Sequence, residues 1–223
     1  MMKRERTALI LGASGLIGGY ITKEILKNSD YNSLTSLVRR SPIKAHTKLN
    51  EIGIDFDHLS NYQDHFRVDE VFICLGTTRK KAGSKENFKK VDYEYVVEAA
   101  KIAKEQGVKR IAIVSAIGAN ANSSFFYNKI KGQMENAVTQ INIPSTYFFR
   151  PSLLLGKREE FRIGEKTGEI LEKLIQPALR GHLRKYHSIH ASTVAKSMVS
   201  FMRNSKKGVH IIESDLMHKI GTL

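Results

Sequence analysis

The stretch Thr7-Ala8-Leu9-Ile10-Leu11-Gly12-Ala13-Ser14-Gly15-Leu16-Ile17-Gly18 decides how the rest of the chain is read. Thr7 to Leu11 predicts a short buried strand, and Gly15 to Lys27 an amphipathic helix. A strand that turns sharply into a helix aims the helix's first backbone N–H groups at whatever lies in the turn. Gly12 permits the turn, Gly15 lets a pyrophosphate approach the backbone, and Gly18 lets the helix pack closely on the strand. With Ser14, Leu16 and Ile17 they make a candidate dinucleotide-binding loop. Such glycines carry little weight alone; a first strand and a first helix around them give the pattern its meaning.

Working outward, short apolar runs alternate with longer amphipathic segments. Strands are expected at Leu34 to Val38, Ile54 to Phe56, Glu70 to Leu75, Arg110 to Ser115 and Thr146 to Arg150. Helices are expected at Glu86 to Gln106 and Ser123 to Gln140. This alternation predicts an α/β, Rossmann-type, doubly wound and mostly parallel sheet with helices on both faces. Beyond Pro151 the pattern loosens: a helix from Glu165 to Ile175, a short strand His187 to His190, a helix Ser192 to Arg203, a strand Val209 to Ile212, and a last short helix starting at Ser214-Asp215. We read residues 1–223 as a single domain, with a small substrate-side region inserted at about 151–190.

The second strand ends in Val38-Arg39-Arg40, with no carboxylate between Thr35 and Ser41. NAD enzymes usually carry an acid there to bind the adenosine ribose hydroxyls. An acid would repel a 2′-phosphate, whereas Arg39 and Arg40 can pair with one. The expected cofactor is therefore NADP(H), with NAD as the other candidate; the alternative reading of the arginines is plain surface charge.

Tyr127 and Lys131 stand four apart on a predicted helix, on one face and one turn apart. Ser115 ends a strand at the sheet edge where such folds bind ligands. A free tyrosine titrates near ~10, and a neighbouring ammonium favours its phenolate. Tyr127 could donate a proton to a carbonyl oxygen that Ser115 holds by a hydrogen bond. An isolated Tyr–Lys pair reads as an exposed helix face; the glycine loop and Ser115 change that reading.

These residues carry a family resemblance. Gly12-x-x-Gly15-x-x-Gly18, Ser115 and Tyr127-x-x-x-Lys131 resemble the extended and atypical short-chain dehydrogenase/reductases, over nearly the whole chain. Cys74-Leu75-Gly76-Thr77-Thr78-Arg79, Lys81-Ala82-Gly83, Val91-Asp92, Lys131-Gly132-x-x-Glu135 and Phe149-Arg150-Pro151 are similar to the Tat-interacting-protein oxidoreductase group. The resemblance implies Tyr127 as proton donor, Lys131 as its activator and ribose ligand, and Ser115 as substrate orienter. It implies that Leu75, Gly76 and Thr77 line the cofactor. Two positions depart from the pattern: Asp92 stands where many extended members have asparagine, and Ala116 where relatives often have serine. The group also includes dinucleotide-binding regulators, so the expected function is an NADP(H)-dependent oxidoreductase acting on a small carbonyl or alcohol, with a sensor acting through a protein partner as the alternative.

Composition bounds the other possibilities. The chain has 223 residues, 41% hydrophobic and 26% charged, with a formal net charge of +14. No apolar run approaches the ~20 residues a membrane-spanning helix needs, and none matches a secretory signal. The expectation is a cytoplasmic protein, a monomer or homodimer, with no membrane role. The basic stretch Arg79 to Lys90 reads as solvated surface, then as a site for a phosphate-bearing ligand, and last as a nucleic-acid site. It has no run of aromatics to stack bases, so only weak, salt-sensitive, sequence-independent nucleic-acid binding is expected. The one cysteine, Cys74, rules out an intrachain disulfide and reads as a small core residue or a reactive thiol. His182, His187 and His190 lack metal-ligand spacing, so no metal is expected. Met198 and Met202 have core spacing, and Asp55, Asp57, His58, Asp64 and His65 fall in a seemingly irregular stretch with no assigned role.

Overall fold

The computed structural model describes residues 5–39, 46–156 and 181–221. Its main sheet has seven strands in the order β3-β2-β1-β4-β5-β6-β9, every neighbouring pair parallel. They are β1 (Arg6–Leu11), β2 (Tyr31–Val38), β3 (Leu49–Gly53), β4 (Glu70–Ile73), β5 (Arg110–Val114), β6 (Ser145–Arg150) and β9 (Gly208–Glu213); β7 (Leu154–Leu155) and β8 (Ile189–His190) pair separately. Helices α1 (Leu16–Lys27), α2 (Arg79–Ala82), α3 (Lys85–Lys89), α4 (Tyr95–Glu105), α5 (Phe126–Gln140), α6 (Ala191–Arg203) and α7 (Ser214–Gly221) connect or follow the strands.

Alternation along each strand builds two cores, since successive side chains point to opposite faces. Ile10, Phe72, Tyr147 and Phe149 meet Ile21 and Ile25 of α1 and Met198 and Met202 of α6 on one face. Leu9, Leu11, Val71, Ile111, Ile113 and Phe148 meet Ala99 and Ala103 of α4 and Met134 and Val138 of α5 on the other. Strand order reverses beside β1, which opens the crevice at the carboxyl ends of β1 and β4 where ligands bind in such sheets.

At the opposite ends of the strands sits a buried carboxylate. Glu70 accepts a hydrogen bond from Tyr31 Oη at 2.7 Å and pairs with Arg6 at 2.9 Å and Arg110 at 3.1 Å. Arg6 also donates to the carbonyls of Met202 and Arg203 at 3.3 and 2.9 Å. Burial pushes the Glu70 carboxyl up, against the pull of these partners.

Several expectations need correction. The third strand is Leu49–Gly53, not Ile54 to Phe56. It is a half-exposed edge strand, so it has no buried run to reveal it. The stretch Phe56–Phe66 is a kinked 3-10 segment with Phe56, Leu59 and Phe66 buried. The helix expected at Glu86 to Gln106 is present as a continuous helical run, α3, a π turn at Lys90–Glu94 and α4, but the π turn shifts its register. The helix expected from Ser123 starts at Phe126, because Ser123 Oγ accepts from the Phe125 N–H in a local turn instead. The helix expected at Glu165 to Ile175 lies outside the described residues, as does most of the proposed substrate-side region.

The glycine loop is sterically committed. A Cβ on Gly18 would lie 2.1 Å from the Gly12 carbonyl oxygen, and one on Gly12 (φ +92°) 2.7 Å from the Cys74 carbonyl oxygen. Both neighbours are backbone and cannot swing away. Gly18→Ala is expected to cost about 1–3 kcal/mol or more, the scale of overpacking a tight contact. Urea unfolding checks this; an unchanged midpoint would mean that loop and helix separate freely.

Candidate active site

Three carboxyl-end segments converge. The first is the turn after β1. Gly15 caps α1 without a side-chain hydrogen bond, and the first turn carries no acid. The α1 amide groups therefore have no side-chain competitor for an anion. Ser14 and Gly15 are exposed there, Leu16 is half-buried, and Ile17 is buried beneath. Arg39 is exposed just past β2; Arg40 lies outside the described residues.

The second segment is Cys74 to Thr78, after β4. Gly76 is exposed, and Leu75 and Thr77 are half-buried. Burial pushes the Cys74 thiol up to about 12, and the nearby Lys131 charge only partly offsets this. Cys74 is half-buried against the core, and the raised pKa disfavours its thiolate.

The third segment follows β5. Ser115 is 3% exposed, yet its hydroxyl oxygen has no hydrogen-bond partner among the described residues. The loop beyond it is clamped to α5. Asn128 Nδ2 donates to the Gly118 carbonyl at 2.8 Å, and the Asn120 N–H donates to the Asn128 carbonyl at 3.1 Å. Gly132 allows this closeness: a Cβ there would lie 2.2 Å from Ala121 N.

Helix α5 carries Tyr127, Lys131 and Glu135 on successive turns. Tyr127 is 41% exposed, its ring edge-on to Phe88 at 5.8 Å. Lys131 is buried, with its ammonium 2.8 Å from Asp92 Oδ1 and donating to the Val114 carbonyl at 3.4 Å. Burial pulls the Lys131 pKa down, but the charges of Asp92 and Tyr127, the Asp92 hydrogen bond and the Glu135 charge outweigh it, so the lysine stays protonated. One turn on, Glu135 receives Arg150 bidentately at 3.0 and 2.5 Å, tying α5 to the end of β6.

The structure thus brings Ser115, Tyr127 and Lys131 to the same carboxyl-end crevice as the glycine loop and Leu75, Gly76 and Thr77. Sequence reasoning missed Asn128 as a clamp and assigned no partner to Asp92. Asn128 has no local signal beyond its polarity. Asp92 had one, its departure from asparagine. The cradle free of Cβ atoms, the uncapped helix start and the unpartnered Ser115 hydroxyl fit a nicotinamide dinucleotide and a polar ligand atom beside it.

Comparison with known proteins agrees. A family model described as NAD(P)H-binding matches residues 12–205. The chain is 38% identical to protein HTATIP2 of Rattus norvegicus over 98% of this chain and 90% of that one. It is 35% identical to the mitochondrial protein FMP52 of Candida albicans, over 92% and 90%. Among solved structures, MoeE5 in complex with UDP-glucose and NAD superposes with a TM-score of 0.69 at 16% identity, covering 97% of this chain and 81% of that one.

The yeast relatives correct one expectation. FMP52 proteins of several yeasts are named mitochondrial, which overturns the cytoplasmic reading. That reading rested on the lack of an apolar leader, but an organellar address is amphipathic and basic and needs no apolar run. Among the described residues no helix is long and apolar enough to cross a membrane. With its glycine loop inside the matched residues 12–205, the chain belongs to the NAD(P)H-binding family, and protein HTATIP2 is among its relatives.

Proposed function

We propose that the protein is an NADP(H)-dependent oxidoreductase acting on a small carbonyl or alcohol. The observation that carries this reading is the buried Ser115 hydroxyl, without a partner among the described residues, beside a helix presenting Tyr127 and a protonated Lys131. An unsatisfied buried hydroxyl costs stability unless a ligand completes it. In this reading Ser115 hydrogen-bonds the substrate oxygen and Tyr127 donates its proton to that oxygen. Lys131 supplies the positive charge that favours the phenolate and bonds the nicotinamide ribose. Gly12, Ser14, Gly15, Leu16, Ile17 and Gly18 hold the pyrophosphate, and Leu75, Gly76 and Thr77 line the dinucleotide. The cofactor, when bound, supplies or accepts the hydride. The test is a screen of aldehydes and ketones for NADPH oxidation; tight NADPH binding with no turnover across the screen would overturn the reading.

Arg39 and Arg40 support NADP(H) over NAD(H). Each charge-assisted contact with a 2′-phosphate is worth about 1.5–3 kcal/mol before solvent screening, and Arg39 is exposed, so less survives. Replacing both by alanine is expected to weaken NADPH about tenfold or more and to leave NADH nearly unchanged. Calorimetric titration with both cofactors decides it; equal affinities in the unaltered protein would make the arginines plain surface charge.

One observation favours a second reading, a dinucleotide-binding sensor acting through a partner. Asp92 sits against the Lys131 ammonium and offsets the charge that would activate Tyr127. A sensor would keep its partner after Tyr127→Phe and lose it when Gly15 is altered and the cofactor is lost.

A further inference from the structure

Asp92 is 1% exposed, on the π turn Lys90–Glu94. Its two oxygens have two different partners. Oδ1 lies 2.8 Å from Lys131 Nζ, and Oδ2 accepts the Thr77 backbone N–H at 2.8 Å. Gly76 leaves room for the carboxylate: a Cβ there would lie 3.4 Å from Oδ1. One side chain therefore touches both the lysine of α5 and the loop after β4.

We propose that Asp92 is a positioning residue that couples the Gly76-Thr77 loop to Lys131, so that a dinucleotide lying on the loop sets the place of the ammonium. The proposal rests on the oxidoreductase reading for its catalytic meaning, but not for its geometry. Three features carry it. An ionised carboxylate is acceptor-only and serves two donors at once, while an asparagine offers one oxygen and an NH2 that would face a donor. The π turn is the second feature. It adds one residue to a helical turn, which puts Asp92 inside while Lys90 faces out to Asp57 at 2.7 Å. Burial is the third: Asp92 and Lys131 side chains are 2% and 3% exposed, so water cannot stand in for either partner.

The charged and titratable neighbours of the pair are Cys74 on the loop and Tyr127 and Glu135 on α5, with Arg150 of β6 taking up Glu135. None of them bonds the Thr77 amide, so that amide reports on Asp92 alone.

The experiment is amide hydrogen exchange at Thr77 in the unliganded protein, with NADPH titration of the same samples, for Asp92→Asn and Lys131→Gln. The Thr77 amide is expected to be protected in the unaltered protein. Both variants should speed its exchange about tenfold or more and weaken NADPH by a similar factor, the scale of losing one hydrogen bond to a charged group. Lys131→Gln is the decisive variant, because it changes nothing that touches Thr77 directly. If it leaves Thr77 exchange unchanged while Asp92→Asn speeds it, Asp92 only caps the loop and the coupling is wrong. A second measurement serves if Lys131→Gln fails to fold. In the unaltered protein, the NMR signals of the Lys131 ammonium and the Thr77 amide should shift with one midpoint as NADPH is added. Separate midpoints, or one silent signal, would overturn the proposal. A failed carbonyl screen would remove the oxidoreductase reading and leave these measurements readable. Uncoupled signals with turnover intact would remove only the coupling.

Discussion

Lys131→Met should cost about 3–5 kcal/mol of stability, the scale for breaking a buried ion pair by removing one partner. A small domain has about 5–15 kcal/mol in all, so the loss is a large part of it. Methionine fills much of the lysine's volume, so no large cavity is left. The cost comes from Asp92, which keeps only the Thr77 N–H and becomes a buried charge without a counter-ion. The figure is not the net worth of the pair, because burying both charges was itself expensive. A double variant, Asp92→Leu with Lys131→Met, should therefore be more stable than Lys131→Met alone. Urea unfolding measures both; a loss under about 1 kcal/mol would mean that water reaches the pair.

The pH dependence of this contribution has a definite sign. Burial acts to lower the Lys131 pKa, and the Asp92 charge leads the groups that raise it above its ordinary value. A folded-state pKa raised above the unfolded one gives stability that is complete below the unfolded value, ~10.4 for a lysine. It is lost as pH climbs through the raised value. The contribution of the Lys131 charge is thus fully present across the neutral range and is lost on the alkaline side.

Tyr127→Phe should lower carbonyl turnover about 10²-fold or more, the usual contribution of a positioned general acid, and leave NADPH affinity nearly unchanged. The hydroxyl has no hydrogen bond among the described residues, and phenylalanine keeps the ring packed against Phe88. Stability should therefore hold while chemistry falls, which separates this variant from Lys131→Met. NADPH oxidation with a substrate from the screen, together with calorimetric NADPH titration, measures the two effects. Full turnover by Tyr127→Phe would assign the proton to another group.

The parts of the site readable in sequence were the local ones. Gly12, Gly15 and Gly18 lie within one turn and its flanks, and Tyr127 and Lys131 within one turn of a helix. Strands with a buried apolar run, such as Glu70–Ile73, were legible, and so was the edge strand β9 from its apolar run Val209 to Ile212; the half-exposed β3 has no such run. Asp92–Lys131 was out of reach for a different reason. It joins two elements through a π turn, which shifts the helical phase, so a regular α-helical period over Glu86 to Gln106 does not place Asp92. Glu70 was read inside an apolar strand, with nothing local to announce Arg6 and Arg110 as its partners. A polar residue in a core is fixed by contacts distant in the chain, and periodicity does not record them.

Helix α1 follows the glycine turn directly, yet its apolar face rests on Met198 and Met202 of α6, and Arg6 reaches the carbonyls at the end of that same helix. The glycine turn is thus completed by a helix far later in the chain. A ribosome-bound chain exposing only its first ~150 residues has the phosphate turn but not the surface that holds it, and contacts so distant in sequence form late. Folding of the nucleotide crevice therefore waits for release of residues 191–203, and an N-terminal fragment ending at β6 would display the signature of a dinucleotide binder without being one.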